Sequence, residues 1–205
     1  MVVKTKKNFS LGDEEVAVYK TGKMHVDITP DTVIKTFLPQ RSSARRFQLE
    51  VKALSLLSQL KQTPELIDVN DAQLRFSMTR LPGHSPKHLS CYHLQQLTDI
   101  FDEVIASGVA RHSLPLRDLL IDNNDRVYVV DFERVTLRGN PYSPIWLIAT
   151  WVTRYHLLRL KLRHQPSMLT TRQQGLLSAL HFVRYALKPI GKLTRYIKKD
   201  LLRLT

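Results

Sequence analysis

Three charged side chains stand where an ordinary structural chain would place apolar ones. Lys35 lies inside the run Val33-Ile34-Lys35-Thr36-Phe37. Glu50 falls three residues after Phe47 and four before Leu54, on the apolar side of a helical pattern. Asp131 directly follows Val127-Tyr128-Val129-Val130 and precedes Phe132. Lone charges in such settings are costly to bury, and pairing is the usual remedy. A Lys35 to Glu50 ion pair would satisfy both groups. A carboxylate at Asp131 facing them across a cleft would then make a place for a metal ion and a polyphosphate. Taken singly, each has a plainer explanation, with Lys35 on the solvent face of an edge strand, Glu50 at a boundary and Asp131 capping a turn. Their joint order along the chain argues for the pairing.

The elements that must position these residues follow from periodicity. Val16 to Tyr19, Lys23 to Ile28 and Thr32 to Phe37 are β-branched or alternating segments separated by Thr21-Gly22 and Pro30-Asp31, which predicts an antiparallel meander. From Ser42 the period becomes helical, with Phe47, Val51, Leu54 and Leu57 on one face, Ser42 or Ser43 available as N-cap, and an end before Pro64. Two further strands are expected at Glu65 to Val69 and Gln73 to Thr79. Leu81-Pro82-Gly83-His84 then breaks the pattern as a hinge between two lobes. A second amphipathic helix spans Tyr92 to Ser107 and stops at Gly108. After an irregular stretch, Leu119 to Ile121 and Val127 to Val130 read as strands joined by Asp122-Asn123-Asn124-Asp125. Helical patterns follow from Pro144, interrupted at Pro166 and Pro189-Ile190-Gly191. The order is that of an α+β protein.

That order resembles the protein-kinase-like fold: Val33-Ile34-Lys35, a helical Glu50, a break at Leu81-Pro82-Gly83, a long helix, and Asp131-Phe132-Glu133 after a hairpin. Within it, the chain looks most similar to the bacterial lipopolysaccharide core (Kdo/heptose) kinases, over roughly Val16 to Arg138. The resemblance implies a two-lobed fold, with residues 1–81 as a sheet-plus-helix N-lobe and 82–205 as a mainly helical C-lobe. It also implies that ATP and Mg²⁺ are cofactors, that Lys35 holds the α/β-phosphates, that Glu50 orients Lys35, and that Asp131 chelates the metal.

Family members carry His-x-Asp-Leu-x-x-x-Asn in the catalytic loop, and two registers compete for it. In one, Arg111-His112-Ser113-Leu114 fills the His-x-Asp-Leu positions and Asp118 the Asn position. In the other, Leu116 to Asn123 reads as the motif, which consumes the strand needed for the hairpin and leaves Asn123 close to Asp131. The first is preferred. It puts Ser113 where a carboxylate base should stand, and Asp118 as a second metal ligand whose carboxylate replaces an amide oxygen. Only Gly12 and Gly22 lie between Phe9 and Ile34, fewer glycines than a phosphate-covering loop uses. His84, His88, His93 and His112 have no metal-ligand spacing and read as surface or capping residues. Cys91 reads as a structural thiol.

The charge is unevenly spread. Of 31 Lys+Arg against 18 Asp+Glu, 12 basic residues and a single acid, Asp200, lie from Arg154 to Thr205. This basic amphipathic helical end, 154–205, suits peripheral contact with an anionic membrane or an anionic acceptor such as a lipopolysaccharide core sugar. Nucleic-acid contact ranks behind these. One cysteine excludes an internal disulfide framework and points to a reducing, cytoplasmic setting, in which the resemblance favours the inner face of the cytoplasmic membrane. No apolar run reaches the ~18 to 20 residues of a membrane-spanning helix. Two functions stay open: a phosphotransferase acting on a sugar or protein hydroxyl, and a pseudokinase that serves as a binding module.

Overall fold

The computed structural model describes residues 2–4 and 17–178. Strand β1 (Val2–Lys4) runs parallel to β2 (Ala17–Lys20), and β2, β3 (Met24–Ile28) and β4 (Thr32–Phe37) form the expected meander. Threonines close both turns. The Thr21 hydroxyl accepts from the Met24 amide at 3.1 Å, and that of Thr29 from the Thr32 amide at 3.0 Å. After α1 (Ser43–Leu56), β5 (Leu66–Asn70) and β6 (Arg75–Thr79) complete a sheet of order β1-β2-β3-β4-β6-β5. The helix packs its Phe47, Glu50, Ala53 and Leu54 face inward. Phe37, Phe47 and Phe76 meet there with ring centroids 6.1 to 6.3 Å apart. Ser42 is the N-cap by position, but its side chain makes no capping bond; the Ser43 hydroxyl donates instead to the Leu38 carbonyl.

Beyond the sheet, α2 (Cys91–Ala106) starts one residue earlier than its pattern suggested. Ser90 and His93 cap it reciprocally: the Ser90 hydroxyl accepts from the His93 amide, and His93 Nδ1 accepts from the Ser90 amide, both at 3.2 Å. Leu94, Leu97, Phe101 and Val104 are fully buried, and the helix stops at Gly108, whose φ of +87° favours glycine. The stretch expected to be irregular contains β7 (Val109–Arg111) and a 3₁₀ turn at Leu116–Asp118. Next come β8 (Leu119–Ile121) and β9 (Val127–Val129), paired as a hairpin whose turn is held by Asp122 accepting from the Asn124 and Arg126 amides. β10 (Val135–Leu137) returns antiparallel to β7.

Helix α3 (Pro144–His164) sets Trp146 and Ala149 against Ala110, and the Thr153 hydroxyl donates to the Arg111 carbonyl at 2.9 Å. It ends before Pro166, as expected of a residue that cannot continue a helix. The chain divides into two compact units, Met1–Leu157 and Leu158–Thr205. Within the second, the end of α3 is followed by a 3₁₀ turn at Pro166–Met168 and a helical segment over 171–178, with Leu160, Leu169 and Leu177 buried. The break expected at Pro189-Ile190-Gly191 and the basic segment 182–204 lie outside the described residues. No helix among the described residues is long and apolar enough to cross a membrane.

Gly83 is held in a left-handed conformation, φ +95°, tight against the Ile121 carbonyl. A Cβ there would collide with that carbonyl, so the position needs glycine. His84 bridges to the same residue, its amide donating to Ile121 O at 3.1 Å and its carbonyl accepting from Ile121 N at 3.0 Å.

Candidate functional site

Lys35 sits on an interior strand, not an edge. β4 lies between β3 and β6, where Lys35 pairs with Val26 on one side and Phe76 on the other. Its side chain therefore leaves the sheet into protein, and only 8% of it is exposed. The Lys35 Nζ donates to Glu50 Oε1 at 2.6 Å and to Asp131 Oδ1 at 3.1 Å. Glu50 is 1% exposed because its place on α1 is a core position, so its carboxylate can be charged only beside a cation. Glu50 Oε2 is buried without a hydrogen-bond partner.

The backbone at Asp131 adopts φ +67°. This left-handed turn at the end of β9 throws Phe132 into the core and leaves the Asp131 carboxylate 43% exposed at the surface of the cleft. A non-glycine residue in this region is sterically strained. The neighbouring Lys35 ammonium holds the Asp131 carboxyl down at about 2, against a smaller opposing effect of burial. Burial pushes the Glu50 carboxyl up, and Lys35 offsets this only in part. Burial also works against the charge on Lys35, but Asp131 and Glu50 together more than reverse it and raise its value.

Asp118 and Ser113 lie on the loop from β7 to β8. Because Leu119–Ile121 is a strand, the hairpin turn takes Asp122 and Asn123, and residues 112–118 form the loop. Asp118 is met by two arginines: Arg111 Nη2 lies 2.7 Å from Oδ2 and Arg117 Nε 3.5 Å from Oδ1. Burial raises the Asp118 carboxyl to about 6, and Arg111 compensates only partly. The Asp118 carbonyl also accepts from the Val130 amide at 2.9 Å, tying this loop to the residue before Asp131. The structure does not bring Ser113 into hydrogen-bond contact with Lys35, Asp118 or Asp131, and among the described residues its hydroxyl has no partner.

Two residues in this region escaped the sequence reading as ion-pair partners. Arg111, 3% exposed, holds Asp118, donates to the Val130 carbonyl at 2.9 Å and lies 5.2 Å above the Phe132 ring. Its strand, β7, is only three residues long and ends at this arginine, so the sequence carried no pattern to mark it. Arg46, one turn before Glu50, reaches Glu133 at 3.0 Å. His93 is a cap, as expected, and Cys91 is exposed at the start of α2.

The donor set can be tested against a divalent cation. No cluster of three or more metal-ligating side chains occurs among the described residues, so there is no all-protein cage. Mg²⁺ needs none, since it is commonly held by one or two carboxylates plus phosphate oxygens and water. Asp131 fits, being ionised, partly exposed and engaged by Lys35 through one oxygen. Asp118 fits less well because each of its oxygens already faces a guanidinium. The counterpart of a phosphate-covering loop is short. The β2–β3 connection is a three-residue turn that Thr21 closes on itself, and Gly12 lies outside the described residues.

No family model matches the chain, and no curated protein matches it in sequence. Among solved structures it is similar to monomeric WbdD, with a TM-score of 0.50 and 14% identity over 66% of this chain. It is also similar to a structure described as the bifunctional kinase-methyltransferase WbdD, with a TM-score of 0.49 and 15% identity over 67% of this chain. The chain spans about 37% of the first of these and 34% of the second. The likeness to monomeric WbdD is one of fold: a two-lobed, protein-kinase-like α+β architecture.

Proposed function

We propose that this chain binds ATP and Mg²⁺ between its lobes and transfers phosphate to a sugar or protein hydroxyl, as the lipopolysaccharide core kinases that it resembles do. The observation that carries the reading is the Lys35 ammonium, held at 2.6 and 3.1 Å by carboxylates from α1 and from the turn after β9. Three elements separate in sequence converge on one cation, and the result has one more negative charge than positive. In this reading Lys35 binds the α/β-phosphates, Glu50 fixes the Lys35 rotamer, and Asp131 holds the metal with Asp118 beside it. The metal, when bound, supplies charge neutralisation at the phosphate oxygens. An anionic acceptor and contact of the basic end 154–205 with the inner face of the cytoplasmic membrane belong to the same proposal.

A second reading, a pseudokinase that binds without transferring, is favoured by one residue. Ser113 cannot serve as a carboxylate base, and losing a general base costs about 10²- to 10⁴-fold in rate. Two measurements separate the readings. ATP with Mg²⁺ should raise the melting temperature of the wild type and fail to do so in Lys35→Ala and Asp131→Ala; no shift in the wild type would remove the nucleotide site. Where nucleotide binds, Ser113→Asp should raise phosphotransfer by about 10²-fold or more. A nucleotide-binding protein inactive in both forms would be the binding module.

A further inference from the structure

Away from the charged cluster, the turn before α3 and the first half of that helix expose side chains that a surface helix would not ordinarily carry together. Tyr142, Ile145, Leu147, Ile148 and Trp151 are 86, 70, 56, 63 and 46% exposed within ten residues. The helix does not need them for its own seating, because Trp146, Ala149 and Thr153 already anchor the opposite face. Ile145 and Ile148 line an open pocket of about 470 Å³ together with His112 and Thr136, which are joined at 2.8 Å. Along the next row, the Trp151 and Tyr155 rings stack 5.9 Å apart. A clustered apolar patch of this kind marks an interaction surface.

Charge decides what it meets. The sequence has no Asp or Glu between Glu133 and Asp200, and the exposed Arg134, Arg138 and Arg154 lie on either side of the patch in sequence, with Arg138 over the Trp146 ring at 6.0 Å on the packed side and Arg154 on the helix itself. Asp102 of α2 stands 3.9 Å from Arg154, both well exposed. A second copy of the chain would set these arginines against their own equivalents. An acidic protein would satisfy the arginines but not the protruding isoleucines. An anionic bilayer suits both: its acyl boundary takes the aliphatic chains, its interface takes Trp and Tyr, and its headgroups take the guanidiniums. We infer that residues 142–151, the turn before α3 and its N-terminal half, are the surface through which this protein docks on anionic lipid.

Docking this way places His112, which lines the same pocket and opens the β7–β8 loop, beside the lipid–water boundary. Acceptor hydroxyls would then be met at the membrane surface. The docking itself does not rest on phosphotransfer and stands if no transfer is found.

The test is co-sedimentation of the full chain with phosphatidylcholine vesicles, with and without phosphatidylglycerol. Binding is expected only with phosphatidylglycerol. In Ile148→Glu/Trp151→Glu it should fall by roughly tenfold or more. Ile145→Ser/Ile148→Ser, a milder change at exposed sites, should weaken binding while keeping the wild-type melting temperature. Trp151 is far more exposed than Trp146, which is 7% exposed, so vesicles should blue-shift the emission and shield it from an aqueous quencher. Absence of binding to the anionic vesicles overturns the inference. So does binding unchanged in both double variants, which would assign the lipid contact to the basic end. A dimer in solution that the same substitutions dissolve, without vesicle binding, would assign the patch to a second copy instead.

Discussion

Two ionic clusters flank the turn at Asp131, and they are charged in opposite senses. At Lys35 two acids share one cation; at Asp118 two cations share one acid. The first leaves a net negative charge beside an exposed carboxylate, a local shortage that a divalent ion would fill. The second carries the opposite excess, and its Arg111 guanidinium also holds the Val130 carbonyl before Asp131 and lies over the Phe132 ring after it. Proximity and residue type would class both aspartates as metal ligands. Their ion pairs differ: Asp131 faces one ammonium, whereas each Asp118 oxygen faces a guanidinium.

Removing the shared cation is expected to have the largest effect. Lys35→Met leaves the carboxylates of Glu50 and Asp131 facing each other, with Glu50 fully buried, and should destabilise the fold by about 3–5 kcal/mol in chemical denaturation. Adding Glu50→Gln should recover part of that loss. If the double variant were as unstable as the sum of the singles, the two groups would not be coupled.

Breaking the other cluster should cost less. Asp118→Ala leaves Arg111 buried but still bonded to the Val130 carbonyl, and a loss of about 1.5–3 kcal/mol is expected. If the two aspartates differ as argued, Asp118→Ala should keep the ATP-dependent melting shift that Asp131→Ala abolishes. Equal loss in both variants would dissolve the distinction.

The pH dependence sharpens the same contrast. Asp118 titrates near 6 in the folded chain and at 3.8 ordinarily, so its contribution is complete below about pH 3.8 and is lost as pH rises through 6. Asp131 runs the opposite way, with its contribution present above pH 3.8 and lost as pH falls toward 2. Stability measured from pH 4 to 6.5 should therefore fall less steeply in Asp118→Asn than in the wild type, and an identical slope would refute the assignment. The smallest effect is expected at the rim, where Arg46→Ala removes a partly buried pair with Glu133 and should cost about 1 kcal/mol.

The Lys35 cluster was legible in the sequence because burial of a charge within an apolar pattern demands a partner, whatever the fold. Glu50 in particular was readable from helical spacing alone. The meander, α1 and α2 were legible for a related reason, since each repeats its period often enough to be recognised, and the short β8–β9 hairpin was legible from the turn-rich Asp122-Asn123-Asn124-Asp125 between two apolar runs. β7 and β10 were not: three residues carry too little alternation, and their pairing joins segments 24 or more positions apart. β1 was missed because its parallel partner lies across a separate stretch of chain. Arg111 went unnoticed as a partner because an arginine beside a histidine and a serine resembles a loop residue until Asp118 and Phe132 are brought to it. The exposed face of α3 was equally hidden, because an apolar run reads as core until the opposite face is seen to be the one that packs.

The crossing at Leu81-Pro82-Gly83 bears on how the cleft could open. Arg80 is fastened to the sheet, its amide donating to the Asp31 carbonyl and its guanidinium to Thr29 at 3.0 Å, while His84 is fastened to Ile121. Only three residues lie between these moorings, and proline fixes one of their torsions. Gly83 is itself packed on the Ile121 carbonyl, so a swing between the sheet and the β8–β9 hairpin would have to turn about Leu81.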